Sequence, residues 1–272
     1  MDLRIVYSTK TLSPMRLIQI TDCHLGSHPG ESLLGLDTDE SFADVLHRLS
    51  RDEKHADFVV ASGDVASEGS VEAYERFLGA LKAQYDLPVA WLSGNHDLDE
   101  LMQQFPKEQV QREHIEFEHW QLILLNSSIP HEERGELAET ELERLRHCLE
   151  TCDKHALVFV HHQPVPVGCD WLDQYVISNS AQLLEILNEY PQVKGLVWGH
   201  VHQEFQARHR HFNLYSTPST CIQFKPNSDD FALDDTMPGY RWFNLHQDGR
   251  LETGVERVEE KAYGIDFASA GY

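Results

Sequence analysis

Five short stretches of the chain bring acidic, amide and imidazole side chains together at close spacing: Asp22-Cys23-His24, Gly63-Asp64, Gly94-Asn95-His96-Asp97, His161-His162 and Gly199-His200-Val201-His202. Carboxylates and imidazoles are the donors of metal sites that hold iron, manganese or zinc, and such sites promote hydrolysis. Taken singly, each stretch has an ordinary explanation. The chain has 17 histidines, most of which must be surface or packing residues. A Gly-Asp after a strand is commonly a turn or a helix cap, and a Gly-Asn-His a tight loop. Their common position gives them weight, because all five follow a predicted strand.

The strand candidates are short apolar runs at 17–21, 58–61, 88–92, 121–125, 157–160 and 195–198. Such continuous runs fit strands buried on both faces. Helical spacing lies between them at 39–50, 71–84, 138–151 and 180–189, with Ser70, Glu136 or Ser178 near the starts as caps. If the strands share a sheet, their C-terminal ends converge on the crevice where α/β folds place ligands. An extended strand end would point Asp22 with His24, and His200 with His202, to one side, and would turn Cys23, Val201 and His162 away. After Gly199 the segments 205–208, 212–216, 241–246 and 251–258 read as shorter, more exposed strands, the last two joined by a turn at Asp248-Gly249. With no repeat or linker, a single α/β domain over 1–272 is expected, with a core about 15–258 and a tail about 259–272.

Asp and Glu number 45 against 22 Lys and Arg, a formal charge of −23, and no basic run interrupts the excess. This balance argues against nucleic-acid binding, against a nuclease, and against an anionic membrane surface. No stretch approaches the length of about 18 apolar residues needed for a membrane span, and the N-terminus lacks the apolar region of a signal peptide. Five cysteines in no paired pattern predict reduced thiols and a cytoplasmic protein, with Cys148 and Cys152 on a helix's apolar face.

The order D-x-H, G-D, G-N-H-D, H-H, G-H-x-H resembles the calcineurin-like metallophosphoesterase superfamily over nearly the whole chain. Within it, Leu17–His24, Gly135-Glu136-Leu137, Gly168–Asp173 and Thr217–Pro226 are similar to bacterial 3′,5′-cyclic-AMP phosphodiesterases. The resemblance implies a four-layer α-β-β-α fold, with two stacked mixed sheets flanked by helices. It implies two divalent metal ions, Fe2+ or Mn2+ foremost and Zn2+ also suited. One would be held by Asp22, His24, Asp64 and His202, the other by Asp64, Asn95, His161 and His200. The implied reaction is hydrolysis of cyclic AMP to 5′-AMP by in-line attack of a metal-activated water. His96 would serve as the catalytic histidine, oriented by Asp97, and His24, Asp64, Asn95, His96 and His202 would line the substrate position. Trp171 and Phe224 are the aromatic candidates for the base. Asn126 stands where many relatives carry Asp, outside the ligand motifs. Partners are then a small cyclic nucleotide, with neither nucleic acid nor membrane, and the chain a monomer or homodimer. Two other readings remain: another small phosphate ester such as a glycerophosphodiester or a phosphomonoester, and a non-catalytic scaffold, which would be expected to have lost ligands.

Overall fold

The computed structural model describes residues 6–7 and 14–271. Along the chain the elements are β1 (Val6–Tyr7), β2 (Met15–Ile20), β3 (Ser32–Leu33), β4 (Leu36–Asp37), α1 (Thr38–Asp52), β5 (Phe58–Ser62), α2 (Val71–Gln84), β6 (Val89–Leu92), α3 (Asp99–Met102), β7 (His114–Phe117), β8 (Trp120–Leu124), α4 (Glu139–Thr151), β9 (His155–Phe159), α5 (Asp170–Asp173), α6 (Ser180–Glu189), β10 (Val193–Trp198), β11 (Phe205–His209), β12 (Phe212–Ser216), β13 (Gln223–Phe224), β14 (Leu233–Asp234), β15 (Gly239–Leu245) and β16 (Leu251–Arg257). Two mixed sheets dominate. One runs β16-β15-β2-β5-β6, with β2, β5 and β6 parallel; the other runs β1-β7-β8-β9-β10-β12-β11, with β8, β9, β10 and β12 parallel.

Because successive side chains of a strand face opposite ways, one apolar run serves two layers. Leu17, Phe58 and Val60 meet Leu122, Leu157, Phe159 and Val197 between the sheets. Their neighbours Ile18, Val59 and Ala61 face outward, into Phe42, Val45 and Leu46 of α1 and Phe77 and Leu81 of α2. On the far side Ile123, Val158 and Leu196 pack on Leu142 and Leu145 of α4 and Leu183 and Leu187 of α6. The result is the four-layer α-β-β-α order, each fully buried Leu or Phe contributing about 1.5–3 kcal/mol. Asp37 and Ser70 cap α1 and α2 by accepting the N–H of Glu40 and Ala73. No helix among the described residues is long and apolar enough to cross a membrane.

Three expectations need correction. Of the strands after Gly199, β11 and β16 are the more exposed edge strands that are expected, but β12 lies beside β10, and β15 sits between β16 and β2 within its sheet, both largely buried. Glu136 and Ser178 do not cap helices; Ala138 and Asn179 occupy those positions, and the Asn179 amide instead bonds the backbone N–H and C=O of Leu137. β7 alternates as His114-Ile115-Glu116-Phe117 but, at four residues, is too short to stand out in the sequence.

Polar side chains tie the sheets together near the strand ends. Gln19 of β2, fully buried, donates to Ser62 Oγ (2.8 Å) and across the layer to the Trp198 carbonyl (3.2 Å), while Thr217 Oγ1 donates to Gln19 Oε1. Arg241 of β15, 1% exposed, donates to the Ser216 carbonyl of β12 (2.8 and 3.2 Å). Replacing Gln19 by Leu leaves buried partners unsatisfied, so Gln19→Leu is expected to lower the free energy of urea unfolding by about 1–3 kcal/mol. A change within about 0.5 kcal/mol would show that this bridge carries no stability.

Candidate metal centre

The five stretches leave the ends of β2, β5, β6, β9 and β10, three in one sheet and two in the other, and meet across the boundary between the sheets. Their backbones are not extended. Asp22, His24, Asp64, His200 and His202 all have φ between 46° and 63°, in the left-handed region. This corrects the alternation argument: a left-handed turn at each donor, rather than the pleat of a strand, aims these side chains inward, while Cys23 and Val201 still enter the two outer cores. Asp, Asn and His are the non-glycine residues that tolerate this conformation best. The first two loops run side by side, Asp22 N–H donating to Gly63 O (3.0 Å) and His24 N–H to Asp64 O (2.9 Å).

The donor atoms of Asp22, His24 and His202, of His24, Asp64 and His96, and of Asp64, His161 and His200 form three groups, within each of which they lie within 4.8 Å of one another. His161 Nε2 is 3.1 Å from Asp64 Oδ2 and from Asn95 Oδ1, His24 Nε2 is 3.7 Å from Asp64 Oδ2, and His202 Nε2 is 3.4 Å from Asp22 Oδ1. His200 turns Nδ1 to Asn95 Oδ1 (3.0 Å). Backbone carbonyls set the other nitrogens: His161 Nδ1 donates to Ser62 O and His202 Nδ1 to Ile222 O, both at 2.9 Å. Each ring thereby directs Nε2 inward, the usual orientation of a metal-ligating histidine.

Electrostatics point the same way. Burial drives His24 and His200 well below the usual histidine range, and neighbouring imidazoles add to it, so both are neutral donors. Burial pushes the Asp64 carboxyl up, but His161 and the other imidazoles outweigh it and hold the carboxyl well below the usual range; Asp64 in turn raises His161 against its burial. An anionic carboxylate ringed by buried imidazoles, with two nitrogens of His24 and His202 only 3.3 Å apart, is a donor set short of a cation. These residues fit divalent ions, and Asp64 belongs to two of the three groups.

Glycines make the approach possible. A Cβ on Gly63, whose φ is +99°, would overlap His161 Nδ1, and one on Gly94 would overlap Asp64 Oδ1. His96, beside Asn95, bonds the Ser67 carbonyl through Nδ1 (2.9 Å) and crosses the His24 ring edge-on at 4.8 Å. The Asp97 carboxylate accepts the N–H groups of Val65 (3.2 Å), Ala66 (3.0 Å) and Gly94 (3.0 Å), stapling the Asp64 and Asn95 loops together. Burial and nearby Asp64 lift that carboxyl to about 6. His162 is fully buried, takes Ser127 Oγ at Nδ1 (2.8 Å), and lies 4.7 Å from the His200 ring without entering the ligand groups. Asn126 braces the loop from below, its Oδ1 accepting from Ser128 N–H (2.9 Å) and Ser93 Oγ (3.1 Å). Phe224, a candidate for the base, is only 1% exposed and lies under His202, with half-buried Trp171 behind it. Sequence reading missed Tyr175, whose ring stands 6.1 Å from His200, and the carbonyls of Ser62, Ser67 and Ile222, which no side-chain pattern reveals.

A four-layer α/β scaffold that gathers buried carboxylates and imidazoles where its two sheets meet is that of a metal-dependent phosphoesterase. The chain belongs to the calcineurin-like phosphoesterase family, whose model matches residues 15–204. It is 41% identical over 258 residues, 94% of each chain, to the 3′,5′-cyclic adenosine monophosphate phosphodiesterase CpdA of Pseudomonas aeruginosa. The enzyme of the same name from Escherichia coli K12 is 40% identical over 263 residues, 95% of each chain. Among solved structures, a dimetal phosphatase from Danio rerio shares the fold with a TM-score of 0.62 at 17% identity, covering 91% of this chain and all of the other.

Asp64→Ala is expected to lose both metals, and Gly94→Ala, by displacing the same carboxylate, to weaken their retention at least about tenfold. Elemental analysis after dialysis checks both; two tightly held ions in the Asp64 variant would remove it from the bridging position.

Proposed function

We propose that this protein hydrolyses 3′,5′-cyclic AMP to 5′-AMP, with Asp22, His24, Asp64 and His202 holding one divalent ion and Asp64, Asn95, His161 and His200 the other. The observation that carries the reading is the complete donor set, in a chain about 40% identical to curated cyclic-AMP phosphodiesterases along nearly its whole length. Nitrogen and oxygen donors suit Fe2+ or Mn2+, and Zn2+ also. The five buried cysteines, none in a disulfide, suit a reducing cytoplasm.

When bound, the two ions supply a positive field for the phosphoryl oxygens and acidify a water at neutral pH. The chain's own part is orientation and proton delivery. His96 keeps one proton on Nδ1 through the Ser67 carbonyl, which leaves Nε2 on the side shared with His24 and Asp64. With a second proton on Nε2 the ring would bond a phosphoryl oxygen and pass that proton to the departing 3′ alkoxide, a poor leaving group without one, returning to the neutral Nδ1–H form. The backbone N–H of His96 donates to Asp64 Oδ1 (2.9 Å), so the acid and the shared carboxylate keep a fixed spacing. Asp97 supports both by clamping the loops rather than by touching substrate.

Turnover of cyclic AMP, a glycerophosphodiester and a phosphomonoester at equal metal loading tests the assignment. Cyclic AMP should be preferred by kcat/KM, and a preference for either of the others would displace it as substrate. His96→Ala should retain both metals yet lose about 10²–10⁴ in turnover of the alkyl diester. p-Nitrophenyl diesters, whose leaving group needs no proton, should lose less; equal losses would make His96 a phosphate positioner only.

A further inference from the structure

Two segments singled out by the sequence, Gly168–Asp173 and Thr217–Pro226, remain outside the chemistry above, and the structure brings them together behind one ligand. The Phe224 ring lies parallel to that of His202, centroids 4.3 Å apart and planes 13° from each other, with both residues at most 1% exposed. Trp171 meets Phe224 edge-on at 4.9 Å, Phe231 meets it at 5.7 Å, and Trp171 and Phe231 meet each other at 5.0 Å. Neither segment is loose. The Asp173 carboxylate accepts the N–H groups of Val167 (2.7 Å), Gly168 (3.0 Å) and Cys169 (3.1 Å), while Phe224 is paired with Leu233 across the β13–β14 ladder.

We infer that Phe224 is a positioning residue that sets the plane of the His202 ring and thereby the affinity of one of the two ion sites; the inference rests on the reading of His202 as a ligand. An imidazole donates in its own plane, so two constraints define the direction of its lone pair. The bond from Nδ1 to Ile222 O fixes rotation within the plane. The flat face of Phe224 fixes the tilt, and the Trp171 and Phe231 edges hold that face still. A branched aliphatic side chain can fill much of the same space, but it offers no plane. Hydrogen-bonded groups behind a ligand typically change metal affinity about 10–100-fold, and a ring that fixes the same imidazole acts on the same orientation.

The test compares Phe224→Leu, Phe231→Leu and His202→Ala by competition of Mn2+ or Co2+ against a chelator, with thermal melting alongside. Phe224→Leu should weaken one ion about tenfold or more and leave the second unchanged, with an altered Co2+ absorption spectrum. Phe231→Leu, at the back of the stack, should move the same ion by about threefold and decides the matter if the first variant does not fold. Parent-like affinities in both Leu variants, or equal weakening of both ions together with a lower Tm, would overturn the inference and leave Phe224 as filler. His202→Ala separates the two readings: an ion lost there but kept in Phe224→Leu sinks only the positioning role, whereas two ions kept in His202→Ala remove His202 from the ligand set.

Discussion

The donors are divided between two sheets, and everything else in the molecule answers to that division. Asp22, His24, Asp64 and Asn95 follow β2, β5 and β6; His161, His200 and His202 follow β9 and β10. An ion tolerates only a few tenths of an ångström in its ligand distances. An interface of Leu, Val and Phe side chains is non-directional and cannot by itself fix two sheets that closely. Directional bonds do so where the sheets open: Gln19 to Trp198, Arg241 to Ser216, and the His200 N–H to the Asp22 carboxylate (3.0 Å).

Concentrating acids and imidazoles in a dry crevice is costly unless each polar atom is engaged. The chain answers with its backbone. Carbonyls of Ser62, Ser67 and Ile222 hold the rear nitrogens of His161, His96 and His202, and amides of residues 65, 66 and 94 surround Asp97. The contacts behind these three rings are therefore made by main-chain groups. A chain of net charge −23 can in this way still offer a phosphate a locally positive seat once cations fill the donors.

The buried strands, the helices between them and the polar groups at their exits were legible because continuous apolar runs and helical spacing are direct records of burial. The layers came from the family resemblance. The conformation of the donors was not legible, since nothing in D-x-H distinguishes a pleated strand end from consecutive left-handed turns. β12 and β15 read as exposed because each mixes polar residues into its run, yet Arg241 and Ser216 are buried in satisfying one another. Asp97 and Phe224 show the limit most clearly. Their proximity to the site was readable, but whether such a residue touches substrate or holds something that does depends on contacts made by residues far away in sequence.

The left-handed backbone also restricts which side chains can stand at the centre. At Asp22, His24, Asp64, His200 and His202 the local conformation favours the short list of Asp, Asn and His. Exchanges within that list alter charge and hardness while leaving the loop path intact. A thiolate or a longer carboxylate at the same position would have to overcome the chain's own stereochemistry before any coordination preference came into play. The choice of oxygen and nitrogen donors is in that sense written into dihedral angles.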